Sequence, residues 1–166
     1  MHIGVSNGFI VAHVITDDKT HDGSIASQLI QQVGDIDSIT ADKGYDQIQV
    51  QQSAYDHLRE GRKINIHPRK NAVISESEEA AQKMLMRDNE INTLRRLRKR
   101  GVLAWRRTSG YYRQSETENM FFRYKKLFGD ALNARNENSR LVESVIVCNI
   151  LNQFRLLGKP EYELAG

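Results

Sequence analysis

A carboxylate that directly follows a strand is well placed to bind a ligand, and Asp42 has that position in the sequence. It comes after the short β-branched run over 37–41, and Gly44 frees the backbone to turn sharply before the next helix. In an open α/β sheet, ligands meet the protein at the carboxyl ends of strands. Asp42 is therefore a candidate metal ligand. The alternative is that Asp42 and Asp46 are only loop residues or helix caps.

Glu118, near the start of an amphipathic run, is the second candidate. Glu118 and Lys125 fall on one helical face, where a rise of roughly 1.5 Å per residue separates them by about 10 Å. Lys125 could then hold a phosphate group while Glu118 holds a metal ion. The structural alternative is a capping box, because Ser115 and Glu118 have the Ser-x-x-Glu spacing that satisfies the start of a helix.

Two acids that converge over a basic surface suit metal-assisted phosphodiester chemistry. Two divalent ions about 3.5 to 4 Å apart activate the attacking oxygen and stabilise the leaving one, and hard oxygen ligands favour Mg²⁺ or Mn²⁺. Residues 1–60 carry three basic and nine acidic side chains, a net charge of −6, whereas the remainder carries 21 basic and 12 acidic ones, a net charge of +9. This division suggests a polyanion partner for the second part, although a solvated helix face has the same composition.

The elements that must position these residues divide the chain into a β-rich first part and a helical second part. The predicted order over the first 68 residues is β-β-α-β-α-β, which calls for a layered α/β sheet with crossover helices. Its elements are a hairpin that turns at Asn7-Gly8, a helix over 24–33, a strand over 37–41, a helix to about Glu60 and a strand over 63–67. Further helices are predicted over 75–100, 115–128 and 138–157.

Length and composition limit the class of protein. A chain of 166 residues with 39% hydrophobic residues is one domain or most of one. The single cysteine, Cys148, excludes an internal disulfide and a Cys-rich zinc site. The first residues lack a secretory signal, and the apolar runs are too short to span a bilayer, so we expect a cytoplasmic protein with no membrane partner.

Four ordered motifs resemble the DDE transposases of bacterial insertion sequences, of the family 5 and family 4 type; they cover 40–46, 67–72, 111–125 and 122–130. The family 5 signature is Tyr-x2-Arg-x3-Glu-x6-Lys. Tyr111, Glu118 and Lys125 match its spacing, whereas its Arg position holds Gln114, with Arg113 beside it. The similarity runs from about residue 3 to residue 161, nearly the whole chain.

This resemblance implies an RNase H-like fold that acts on double-stranded DNA, both transposon ends and target, with two Mg²⁺ ions (or Mn²⁺). It makes Asp42 the second acid of the DDE triad and Glu118 the third, so that both are expected metal ligands. Tyr111 and Lys125 join them as expected catalytic residues. The expected DNA contacts are basic side chains that bind phosphates: Arg69, Lys70, Arg95, Arg96, Arg106, Arg107, Arg113 and Lys125. Trp105 could stack on an unpaired base or anchor the core.

The departure from the family pattern concerns the first acid of the triad. In the family it sits on a central strand that precedes the hairpin, and no residue here corresponds to it. We therefore expect residues 1–166 to be a single, N-terminally truncated catalytic domain with an incomplete sheet. We also expect it to be inactive alone and to associate with a second copy or a full-length transposase. The alternative is a non-catalytic DNA-binding or interaction remnant, whose motifs would be the same.

Overall fold

The structure of the protein is a computed structural model, and it describes residues 1–16, 20, 22–74, 87–89, 91, 92, 94 and 102–158. Most of the helix predicted over 75–100 lies outside these residues, as do Arg95 and Arg96. The described elements follow the predicted order from β-rich to helical.

The chain begins with a β-hairpin, as the sequence predicts. Strands β1 (His2–Ser6) and β2 (Phe9–Val14) pair antiparallel. Asn7 and Gly8 connect them with φ angles of 52° and 79°. Two consecutive left-handed residues are the geometry of the tight hairpin turn that an Asn-Gly pair favours, because its twist matches that of the strands.

The second structural unit places two parallel strands side by side. Helix α1 (Asp22–Val33) is followed by β3 (Ile36–Ala41), and helix α2 (Ile48–His57) leads directly into β4 (Leu58–Ile66). Strand β3 runs parallel to β4, with Ala41 opposite Ile66. Helix α2 ends three residues earlier than predicted and β4 begins five residues earlier.

The four strands form two separate two-stranded sheets, where the sequence predicts a single layered sheet. No hydrogen-bonded ladder joins β1 to β3 within the described part of the chain. Helix α1 nevertheless packs on both sheets. Ala26 and Ile30 contact the β4 core around Ile64, whereas Ile25 and Leu29 pack with Ala12 of β2. One helix therefore holds the two sheets together.

The second half is helical. A helical segment over 102–108 and a 3-10 turn, Tyr111–Arg113, precede α3 (Gln114–Phe128) and α4 (Glu137–Leu157). Helices α3 and α4 share a core with the hairpin, whose buried members are Ile3, Ile10, Met120, Tyr124, Val147, Cys148 and Leu151. Among the described helices, none is long and apolar enough to cross a membrane.

Candidate active site

Asp42 lies at the carboxyl end of β3, beside the end of the neighbouring strand. Because Ala41 pairs with Ile66 in the parallel ladder, Asp42 and His67 leave adjacent strands at the same edge. Asp42 also caps the 3-10 turn Lys43–Tyr45, since its Oδ1 accepts a hydrogen bond from the Gly44 amide at 2.6 Å. The prediction that Asp42 acts as a cap is therefore confirmed. This hydrogen bond occupies one of its two carboxylate oxygens.

Buried charges hold the loop that carries Asp42. The Asp46 carboxylate is fully buried, and Arg87 Nε lies 2.6 Å from its Oδ1. Its Oδ2 accepts the backbone N–H of Arg69 at 2.8 Å. The Arg69 guanidinium donates in turn to the carbonyls of Lys43 and Gly44, at 3.3 and 3.0 Å. The Arg69 side chain therefore holds the loop backbone at Lys43 and Gly44, and the contacts of Asp46 hold the end of the loop that lies away from Asp42.

Tyr111 packs against the same edge. Its ring centroid lies 6.1 Å from that of His67 and 5.1 Å from that of Trp105, and the Arg106 guanidinium carbon lies 5.5 Å from it. Trp105 is only 7% exposed and contacts His67 edge to face. Trp105 therefore anchors this aromatic cluster in the core, and stacking on an unpaired base is the wrong interpretation.

The charges of both candidate acids affect the pKa of the Tyr111 hydroxyl. Burial raises the pKa of Tyr111 above its ordinary value, and the negative charge of Asp42 raises it further. The Arg106 charge lowers this pKa, and the Glu118 charge raises it. The turn Tyr111–Arg113 also contacts β3 directly. The motif that contains Tyr111 and Glu118 therefore lies beside the distant motif that contains Asp42.

Glu118 lies on the exposed side of α3 and does not cap it. The helix begins at Gln114, directly after the 3-10 turn, and it has no side-chain cap. Ser115 is the second residue of the helix, and its hydroxyl donates to the Tyr112 carbonyl at 2.7 Å. The capping-box interpretation is wrong because the 3-10 turn continues straight into α3. Glu118 Oε1 accepts a long hydrogen bond, 3.4 Å, from Nε2 of the Gln114 side chain.

Lys125 shares the outer face of α3 with Glu118. The Lys125 side chain is 62% exposed, and its Nζ lies 3.5 Å from an Asp130 carboxylate oxygen. Phe122 on this face is 63% exposed, whereas Phe121 packs against the core. Glu118 and Lys125, which the spacing predicts on one face, therefore both point outward, together with Phe122.

The expected DNA-contact residues have different environments. Lys70, Arg106, Arg107 and Arg113 are exposed. Arg69 is also exposed, but its guanidinium is engaged with the carbonyls of the Asp42 loop. Arg95 and Arg96 lie outside the described residues.

Sequence reasoning missed Arg87, and it treated Asp46 only as a loop or cap residue. Their side chains meet although 41 residues separate them. No local spacing signals such a contact, and Arg87 stands in a long charged run where single residues have no distinguishing pattern. Two carboxylates, Asp42 and Glu118, remain the candidate metal ligands, and the described residues contain no cluster of three or more His, Cys, Asp or Glu able to hold a metal ion.

A family model described as "Transposase DDE domain" matches residues 1–153. The match covers far more than half of the chain, so this protein belongs to the DDE-domain transposases, and its function is DNA transposition. The family acts on DNA and uses divalent metal ions. No match of comparable significance was found among curated proteins or among solved structures.

Proposed function

We propose that Asp42 and Glu118 bind a divalent metal ion, Mg²⁺ or Mn²⁺, for phosphodiester cleavage and strand transfer on double-stranded DNA. The observation that carries this proposal is that Asp42 lies at the carboxyl ends of β3 and β4, where the turn Tyr111–Arg113 contacts β3 and both acids raise the pKa of Tyr111. Two separate sequence motifs, over 40–46 and 111–125, meet near the edge where α/β sheets bind ligands.

The donor atoms fit such an ion. Carboxylate oxygens are the ligands that Mg²⁺ and Mn²⁺ prefer. Because Asp42 Oδ1 is committed to the Gly44 amide, Oδ2 would serve the metal, and Glu118 is exposed with one long hydrogen bond. Water and DNA phosphate oxygens would complete the coordination. The bound ion would polarise the phosphodiester and stabilise the leaving oxygen.

Tyr111 and Lys125 would bind the phosphate backbone beside the metal. The Tyr111 hydroxyl is protonated at neutral pH, because its pKa lies above the ordinary value of 10.0, so it can donate a hydrogen bond to a phosphate oxygen. Lys125 supplies a positive charge on the exposed face that carries Glu118. Exposed basic residues extend this surface for DNA beyond the two acids: Lys70, Arg106, Arg107 and Arg113.

The fold is proposed to be RNase H-like, with one central strand missing from the sheet. Helix α1 packs on both two-stranded sheets although β1 and β3 do not pair, which supports a position for one strand between them. That strand would carry the first acid. A site with two acids has fewer ligands and less charge, so this chain alone should bind metal weakly and perform no strand transfer. Robust Mg²⁺-dependent transfer of end-containing DNA that Asp42→Asn abolishes would contradict this inactivity.

Metal titration tests the proposed site. Mn²⁺ binding is measured by electron paramagnetic resonance for the unaltered chain, Asp42→Asn and Glu118→Gln. Each substitution should raise the dissociation constant for Mn²⁺ at least about tenfold, because a side chain that binds the ion directly is replaced and its charge is lost. Asp37→Asn is the matched control, since Asp37 is 61% exposed and pairs with Arg59 on β4. Equal dissociation constants for all four proteins would refute the site.

A further inference from the structure

We propose that Asp46, Arg87 and Arg69 form a clamp that positions Asp42 for metal binding. This inference rests on the proposed function of Asp42. The three residues are positioning residues, because they act on the metal through the loop that carries Asp42.

The clamp begins with a buried ion pair. The Asp46 side chain is 0% exposed and that of Arg87 is 10% exposed. Arg87 Nε lies 2.6 Å from Oδ1 of Asp46 and Nη2 lies 3.4 Å from Oδ2, while Nη1 donates to the Val73 carbonyl at 2.9 Å. A carboxylate removed from water persists as an anion only when it is paired and hydrogen-bonded. Arg87 therefore fixes the position of Asp46.

A continuous chain of hydrogen bonds leads from Asp46 to Asp42. Oδ2 of Asp46 accepts the Arg69 backbone N–H at 2.8 Å. The Arg69 guanidinium reaches back to the carbonyls of Lys43 and Gly44. The Gly44 amide then donates to Oδ1 of Asp42 at 2.6 Å. Movement of Asp46 would consequently be transmitted to the carboxylate of Asp42.

The arrangement holds the loop at both ends. Strand β3 anchors the backbone just before Asp42 through its pairing with β4, and the buried Asp46 anchors the backbone four residues later. Both oxygens of Asp46 are engaged by Arg87 and Arg69, so Asp46 itself is not a metal ligand. Groups that orient a metal ligand in this way affect metal affinity strongly although they do not touch the ion.

Arg69→Lys is the sharpest test, because it removes two hydrogen bonds to the loop from an exposed side chain and buries nothing new. We expect it to weaken Mn²⁺ binding by about tenfold and to accelerate amide hydrogen exchange at Gly44 and Tyr45, with an unchanged melting temperature. Asp46→Asn should produce both effects and also lower the melting temperature. Arg87→Lys retains the charge without the planar fork, so it should bind Mn²⁺ better than Asp46→Asn.

Arg59→Lys is the control, since Arg59 forms an exposed ion pair with Asp37 at 3.5 Å. Unchanged Mn²⁺ affinity and amide exchange in Arg69→Lys and Arg87→Lys would overturn the clamp, even if Asp46→Asn is less stable or fails to fold. Absence of Asp42-dependent Mn²⁺ binding in the unaltered chain would instead contradict the proposed function. In that case the exchange rates of Gly44 and Tyr45 alone decide whether the clamp orders the loop.

Discussion

At the scale of single residues, burial decides which side chains can react. Asp42 and Glu118 keep access to solvent, whereas Cys148 is 5% exposed between the hairpin and the helices. The sequence makes Asp42 and Glu118 candidate ligands because each stands in a local motif. It could not predict the contact between Asp46 and Arg87, which depends on how distant segments pack.

Burial raises the pKa of the Cys148 thiol to about 11. The thiolate is the reactive form, so we expect alkylation by iodoacetamide at pH 8 to be blocked in the folded chain and complete in urea. In the unfolded chain the thiol ionises near its ordinary pKa of 9.0. The free energy of unfolding should therefore fall as pH rises from about 9 to 11, and less so in Cys148→Ala. Rapid alkylation of the folded chain would contradict this burial.

At the scale of elements, turn-forming and helix-ending residues explain which helix and strand boundaries the sequence predicts. Asn7-Gly8 marks the hairpin turn, and Gly34, with a φ of 75°, ends α1 as expected. The junction between α2 and β4 lacks such a signal, because the chain passes from helix to extended backbone at Leu58 without glycine or proline. The predicted boundaries there are accordingly several residues in error.

The connection between α3 and α4 depends on Glu143. Its two carboxylate oxygens accept the backbone amides of Asn133 and Ala134, each at 2.8 Å. These hydrogen bonds lower the pKa of Glu143 below its ordinary value. The lowered pKa makes the folded state more stable above about pH 4.5, and this contribution is lost as pH falls through the folded pKa.

We therefore expect Glu143→Gln to lower the free energy of unfolding at pH 7 and to flatten its decline below pH 4.5, as measured by urea denaturation. Glu137→Gln is the control, because Glu137 is an exposed acid in the first turn of the same helix. Identical acid dependence of the unaltered chain and Glu143→Gln would show that these hydrogen bonds do not form.

At the scale of the whole molecule, the outer face of α4 is unusually apolar for a monomeric protein. It has no charged residue between Glu143 and Arg155. Its apolar residues are between 36% and 78% exposed: Leu141, Val142, Val145, Ile146, Ile150, Phe154, Leu156 and Leu157. A large exposed apolar surface usually marks an interaction site. Within the described residues, β1 and β3 each also have one edge without a partner strand, and both features support the expected association with a second copy.

Self-association should consequently depend on Ile146, near the centre of this face. Losing a half-buried isoleucine from both copies costs about 2 kcal/mol, which corresponds to a dissociation constant raised by more than about tenfold. We expect Ile146→Glu to shift the chain toward monomer in sedimentation velocity. Ile48→Glu is the matched control, since Ile48 is 54% exposed and Ile146 is 52% exposed. A monomer at all concentrations, or equal effects of the two substitutions, would contradict this surface.

The division of charge is also a property of the whole chain, and the sequence predicts it fully. An acidic first part presents Asp42, and a basic second part presents Glu118 among exposed arginines. The sequence predicts a single layered sheet, and only the structure reveals two separate sheets with α1 packed on both.

The central claim is that Asp42 and Glu118 bind the same metal ion. Paramagnetic broadening of amide signals by substoichiometric Mn²⁺ in the ¹⁵N-labelled chain tests it most directly. We predict that the amides of Gly44 and Glu118 broaden together, and that Asp42→Asn removes the broadening at both positions. Broadening at Glu118 that persists in Asp42→Asn, or broadening at neither position, would contradict a shared site.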